Sequence, residues 1–150
     1  MIYLGADHRG FNLKEQIKDF LKSKDIAFED SGNLNYEPGD DYPDFALGVA
    51  KKVSENLKEN KGILLCGTGI GVDIAANKIK GIRAGLCLSS WMAEVAKKDD
   101  DINILCLASD LTDMGTAMHI INAWLDTKFS NGEKYIRRID KISKIENSHG

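Results

Sequence analysis

The sequence lacks any apolar run long enough to cross a bilayer: its longest, residues 62–66 and 104–108, fall far short of the ~20 residues a spanning helix needs. Proline occurs only twice in 150 residues, so most of the chain is free to form regular elements. Cysteine is scarce too. Cys66, Cys87 and Cys106 are an odd number with no CxxC spacing, which argues against a disulfide framework and a zinc site and for a reducing compartment. Charge of one sign is missing as well: 20 Lys and Arg stand against 23 Asp and Glu, a formal net charge of -3. That balance gives no whole-protein field for nucleic acid or an anionic membrane. The first residues carry no basic stretch or cleavage site of a signal peptide. The expectation is a soluble cytoplasmic protein of one domain spanning residues 1–150.

What is present is an alternation of short apolar runs and longer amphipathic ones, the pattern of strands separated by helices in a parallel sheet. The spacing predicts strands at 1–6, 26–30, 62–66, 83–88 and 102–108. It predicts helices at 12–24, 42–59, from the end of the turn at 67–71 to about 80, 91–98 with Ser90 as N-cap, and 112–127. A charged helix at 135–146 follows, with Ile136, Ile139, Ile142 and Ile145 on one stripe. Five such units make a three-layer α/β/α sandwich around a five-stranded parallel Rossmann-like sheet, with an extra C-terminal helix. Ligands of such sheets bind at the carboxyl ends of the strands, which nominates Asp7, His8, residues 66–71, 89–91 and 108–110.

The segment Cys66-Gly67-Thr68-Gly69-Ile70-Gly71 carries the sharpest signal. Alternate glycines between a buried strand and a helix let backbone N–H groups converge on an anion. The spacing is neither the dinucleotide GxGxxG nor a nucleotide P-loop, and a plain tight turn is the competing reading. Cys66 at its head is placed to act as a proton-transferring thiolate, whereas Cys87 and Cys106 fit small buried strand residues. Asp7-His8-Arg9-Gly10 can bind hydroxyls and an anionic group together, or can simply be a charged capping loop. His119 reads as a packed or surface residue and His149 as part of a tail. Trp91, Met92 and Trp124 read as core or interface residues, and residues 97–101 as a solvated helix end.

Taken together, GADHRGFNLK, DYPDFA, GILLCGTGIGVDIAANKIKGIRA, NILCLAS, AWLDTKF and RRIDKI resemble ribose-5-phosphate isomerase type B and its sister galactose-6-phosphate isomerase subunits, almost end to end. The resemblance implies an aldose–ketose isomerase working through an enediolate without cofactor or metal. It also implies homodimers or tetramers whose active sites are shared between two subunits. It makes Cys66 the base, and Thr68 with the N–H groups of Gly67, Gly69, Ile70 and Gly71 the cradle for the enediolate oxygens. Asp7 and His8 match the family's substrate-contacting pair. Arg137 matches a phosphate-binding arginine lent to the neighbouring subunit, and Tyr42 falls in the matching Asp-Tyr-Pro segment.

The departures cluster. The family's ring-opening histidine, followed by asparagine, is replaced here by Asp99 and Asp100. The arginine after the fifth strand is Asp110, and the first arginine of the closing motif is Glu133, while Arg137 is kept and Arg138 follows it. At near-surface dielectric a unit charge pair ~4 Å apart is worth roughly 4 kcal/mol before screening, so two reversals should weaken a phosphate's binding. Carboxylates instead accept hydrogen bonds from sugar hydroxyls. Three readings follow. The first and simplest is isomerisation of ribose 5-phosphate to ribulose 5-phosphate. The second is the same chemistry on a hexose phosphate, galactose- or allose-6-phosphate, or on an unphosphorylated sugar. The third is a non-catalytic sugar-binding or structural subunit. The retained thiol and glycine turn favour catalysis, and the acidic replacements favour a shifted substrate.

Overall fold

The structure, a computed structural model, describes residues 1–149. The elements run β1 (Ile2–Ala6), α1 (Phe11–Ser23), β2 (Phe28–Asp30), α2 (Tyr42–Ser54), β3 (Lys61–Cys66) and α3 (Ile70–Ala76). They continue with β4 (Ala84–Leu86), α4 (Ser90–Asp100), β5 (Ile104–Ala108), α5 (Met114–Asp126) and α6 (Glu133–Ser148). All strand pairs are parallel, in the order β2-β1-β3-β5-β4. This is the expected α/β sheet.

Both faces of the sheet are covered, so its central strands read as nearly unbroken apolar runs. The period of two sorts them. Ile63, Leu65, Leu105 and Leu107 pack with α1, α4 and α5, whereas Leu64, Cys66, Ile104 and Cys106 pack with α2 and α3. Strand order reverses between β1 and β3, which opens a crevice at their carboxyl ends.

Side-chain hydrogen bonds explain where elements stop short of their expected ends. α3 ends at Ala76 rather than near Lys80 because Asn77 turns back to clasp the backbone of Ala84. Its Nδ2 donates to the Ala84 carbonyl at 3.0 Å, and its Oδ1 accepts from the Ala84 N–H at 2.9 Å. α2 stops at Ser54, short of Glu59, where Asn60 donates from Nδ2 to the Lys52 carbonyl. α4 is capped by Ser89 rather than Ser90, through an N–H bond from Met92 to its Oγ. α6 buries none of its residues; Ile136, Ile142 and Ile145 are 41%, 44% and 60% exposed.

One buried cation ties α1 to the sheet edge. Lys14 is fully buried, and its Nζ lies 2.6 Å from Asp30 Oδ2 and 3.1 Å from Glu15 Oε1. Burial alone would raise the Asp30 carboxyl, but hydrogen bonds from Lys14, Lys18 and the Gly32 N–H overcome it and hold Asp30 below the usual carboxylate value. Removing one partner strands a buried charge. Asp30→Asn is therefore expected to cost about 3 kcal/mol in urea unfolding at neutral pH. Because the folded carboxyl titrates below its unfolded value, the stabilisation is complete above roughly pH 4 and is lost as pH falls through the depressed value. An unfolding midpoint for Asp30→Asn that declines on acidification as steeply as the unmodified protein's would contradict this assignment.

Candidate active site

The crevice between β1 and β3 holds a pocket of about 300 Å³ whose lining includes Asp7, Arg9, Tyr42, Cys66, Thr68 and Gly71. A larger groove of about 800 Å³ lies at the other end of the sheet, beside α6, lined among others by Ile82, Asp100, Ile142 and Ile145. Among the described residues that line that groove there is no cysteine, serine or threonine, whereas the smaller pocket, at the carboxyl ends of the strands, holds both Cys66 and Thr68.

Cys66 is the last residue of β3, and its Sγ accepts a hydrogen bond from the Gly69 N–H at 3.1 Å. That bond needs the chain to reverse within three residues. Gly69 does so with a φ of 72°, a region where a Cβ is strained, and a Cβ there would also press on the Leu107 backbone at 3.0 Å. The first turn of α3 then begins at Ile70, with N–H groups that have no partner inside the helix. The Thr68 hydroxyl stands beside them, accepting from the Ile70 N–H at 3.4 Å. Tyr42 closes the wall: its ring lies where a Cβ on Gly71 would be, 2.6 Å away.

Asp7 is buried and braces its own loop. Its Oδ1 accepts the backbone N–H groups of Arg9 and Gly10, at 3.0 and 3.1 Å, while the residue lines the pocket. His8 is not itself a lining residue. Asp40 Oδ1 accepts its backbone N–H and lies 2.8 Å from its Nδ1; with Nδ1 engaged, Nε2 is the nitrogen left for a ligand. Asn33 holds the other Asp40 oxygen from Nδ2 at 2.8 Å.

Of the residues named from sequence, Asp7, Cys66, Gly67, Thr68, Ile70 and Gly71 come together, with Gly69 bonded to the thiol. Asp110 stands just past β5, beside the turn, with its N–H bonded to the Gly67 carbonyl at 3.0 Å. Asp99 and Asp100 do not join them. They end α4, at the amino end of β5, and the strand alone separates them from the pocket by about 13 Å. Glu133 and Arg137 are exposed on α6.

Sequence reasoning undervalued Arg9. Its guanidinium lies over Gly67, where any Cβ would collide with it, and pairs with Asp110 across 101 residues. Asp110 is therefore not the unopposed acid that its replacement of an arginine suggested. The one available signal was adjacency, since Arg9 directly follows Asp7-His8.

Among the described residues no three His, Cys, Asp or Glu side chains gather to hold a metal ion, and no helix is long and apolar enough to cross a membrane.

A parallel sheet with a thiol and a glycine turn in the crevice at its topological switch point defines an α/β protein with a pocket sized for a small molecule. A family model described as ribose/galactose isomerase matches residues 2–142, and the chain belongs to that family. It is 42% identical to a Mycoplasma genitalium protein named probable ribose-5-phosphate isomerase B, over 97% of this chain and 95% of that one. A solved structure of that organism's ribose-5-phosphate isomerase B, with bound ribulose 5-phosphate, superposes with a TM-score of 0.94 at 42% identity, covering 97% and 95% of the two chains. The Clostridium thermocellum ribose-5-phosphate isomerase B is equally similar, with a TM-score of 0.94 at 41% identity and 99% coverage of each chain.

The three thiols should differ in reactivity. Burial pushes the Cys87 thiol up to about 11, and burial holds Cys106 well above its ordinary value. Only the thiolate attacks an alkylating agent. Brief iodoacetamide treatment at pH 8 is expected to label Cys66 ahead of the other two, as read by peptide mass spectrometry. Preferential labelling of Cys87 would count against Cys66 as the most reactive of the three.

Proposed function

We propose that the chain is a single isomerase domain that interconverts ribose 5-phosphate and ribulose 5-phosphate. The observation that carries this is the Cys66 thiol, aimed by the Gly69 N–H in a pocket that Thr68 and the glycine turn complete. The relatives named above support the choice of substrate.

In the open-chain aldose, the Cys66 thiolate removes the proton from C2. The electron pair forms the C1–C2 double bond, and the carbonyl π electrons move to O1. Thr68 and the N–H groups of the turn hold the resulting enediolate oxygen, which is where preorganised donors contribute most. The thiol then returns the proton to C1, the O2 hydroxyl proton passes to O1, and O2 becomes the ketose carbonyl. Asp7 and His8 Nε2 contact the sugar hydroxyls.

Within one subunit Arg137, Glu133, Asp99 and Asp100 stand away from this pocket, while α6 exposes its isoleucine stripe and Trp91 and Leu111 are 71% and 73% exposed. This supports a homodimer or tetramer in which a second copy brings Arg137 to the phosphate and Asp99 and Asp100 to the ring end of the sugar. Three free thiols suit a reducing compartment, the cytoplasm.

A shifted substrate, such as a hexose phosphate or a free sugar, is the second reading, favoured by the acids at 99, 100 and 133. The pairing of Asp110 with Arg9 removes the fourth acid from that argument.

Cys66→Ala is expected to lower kcat on ribose 5-phosphate by at least ~10² with the fold intact by circular dichroism. Undiminished turnover would remove Cys66 from the mechanism. Sharing of sites has its own test. After subunit exchange, inactive Cys66→Ala and Arg137→Ala proteins should recover roughly a quarter of the unmodified activity, since half the dimers are mixed and each mixed dimer holds one intact site. No recovery, or a fully active monomer in sedimentation, would mean that each subunit works alone.

A further inference from the structure

We propose that Arg9 recognises the substrate's phosphate from within the subunit, alongside the Arg137 of a second copy, and that Asp110 holds the Arg9 guanidinium ready and sets its affinity. The inference rests on the sugar-phosphate reading of the pocket and adds a specificity residue to it. Among the described residues that line the pocket, Arg9 is the only lysine or arginine. A phosphate dianion entering from solvent meets no other cation on the pocket wall of this subunit.

Both ends of Arg9 are fixed. Its N–H donates to Asp7 Oδ1 at 3.0 Å, and its carbonyl accepts from the Ser109 hydroxyl at 2.9 Å. From that anchor the side chain crosses the bare Cα of Gly67 and meets Asp110 Oδ2. Gly67 directly follows the thiol, so the guanidinium spans the mouth of the pocket that holds the reacting carbons. Asp110 is held by the Gly67 carbonyl, which accepts its N–H at 3.0 Å.

The pair is built to be exchanged rather than kept. Its two side chains are 49% and 46% exposed, and ion pairs so well solvated contribute little. A phosphate offers twice the charge and a bidentate face for the planar guanidinium, so it displaces the carboxylate. Asp110 is then the competitor that the phosphate must replace. A free sugar, with no such charge, leaves the pair closed.

The test compares Arg9→Met, Arg9→Lys and Asp110→Asn with the unmodified protein. The readouts are ribose 5-phosphate kinetics, inorganic phosphate binding by calorimetry, and Tm. Arg9→Met is expected to raise both KM and the phosphate Kd at least ~tenfold with kcat reduced less than ~threefold, and Arg9→Lys to recover part of the loss. Asp110→Asn is expected to lower both constants several-fold. The opposite signs are decisive, because a pair that merely braced the turn would respond alike to loss of either partner, through Tm and kcat. Changes of the same sign, or a phosphate Kd unmoved by Arg9→Met, would overturn the proposal. Calorimetry also separates the two claims. Phosphate binding that depends on Arg9 in a protein inert toward ribose 5-phosphate would support the anion site and defeat the isomerase reading. Normal turnover with Arg9-independent phosphate binding would do the reverse.

Discussion

Three chain segments share one small space at the carboxyl edge of the sheet, and they fit only because Gly10 and Gly67 carry no side chain. A Cβ on Gly10 would sit 2.7 Å from Leu65 Cβ and 2.8 Å from the Leu65 carbonyl oxygen, and one on Gly67 would occupy the Arg9 guanidinium. With both positions bare, the loop after β1 lies down on the end of β3. The loop after β5 then closes from the other side: the Cys66 carbonyl accepts the Ser109 N–H at 2.9 Å, and the Ser109 hydroxyl lies 2.9 Å from the Cys66 and Arg9 carbonyls alike, its one proton shared between them. The thiol, the cradle and the cation are thus set by backbone contacts, which hold positions more tightly than side-chain rotamers do.

This dependence explains what was legible in advance. The sheet, its two faces and the glycine turn followed from period and local composition, because each is written in neighbouring residues. Cys66 stood out for the same reason: it heads the turn whose Gly69 N–H its sulfur accepts. Element ends were less legible. Asn77 stops α3 by bonding to Ala84 seven residues on, and Asn60 closes α2 by bonding to Lys52. Such local bonds leave no periodic trace. Arg9 was least legible, since its partner lies 101 residues away and nothing in either neighbourhood names the other.

The acidic replacements illustrate the same limit. In sequence Asp99, Asp100, Asp110 and Glu133 look like one acidic cluster. In the subunit they divide: Asp99 and Asp100 end α4 at the amino side of β5, Asp110 sits past its carboxyl side, and Glu133 is out on α6. Only Asp110 faces a cation across the pocket mouth. Its charge and that of Arg9 therefore form a single unit. An acid where the family resemblance expects an arginine, and an arginine two residues past the buried Asp7, leave one cation at the rim, approached from β1 instead of β5.

The remaining acids act under a different constraint. A helix with a strong apolar stripe is stabilised mainly by burying it, yet α6 has no buried residue in the isolated subunit and meets the body chiefly through α4 and the Glu146 carboxylate, which accepts the Gly81 N–H at 3.2 Å. Glu133 and Arg137 lie one turn apart on that helix, so whatever covers the isoleucines also fixes where these two charges point. The apolar stripe and the two charges are carried by the same sixteen residues. In such an arrangement an acid at 133 cannot be read as a local loss of affinity. Its setting depends on what meets the exposed face of α6, whereas the Arg9–Asp110 pair is complete within one chain.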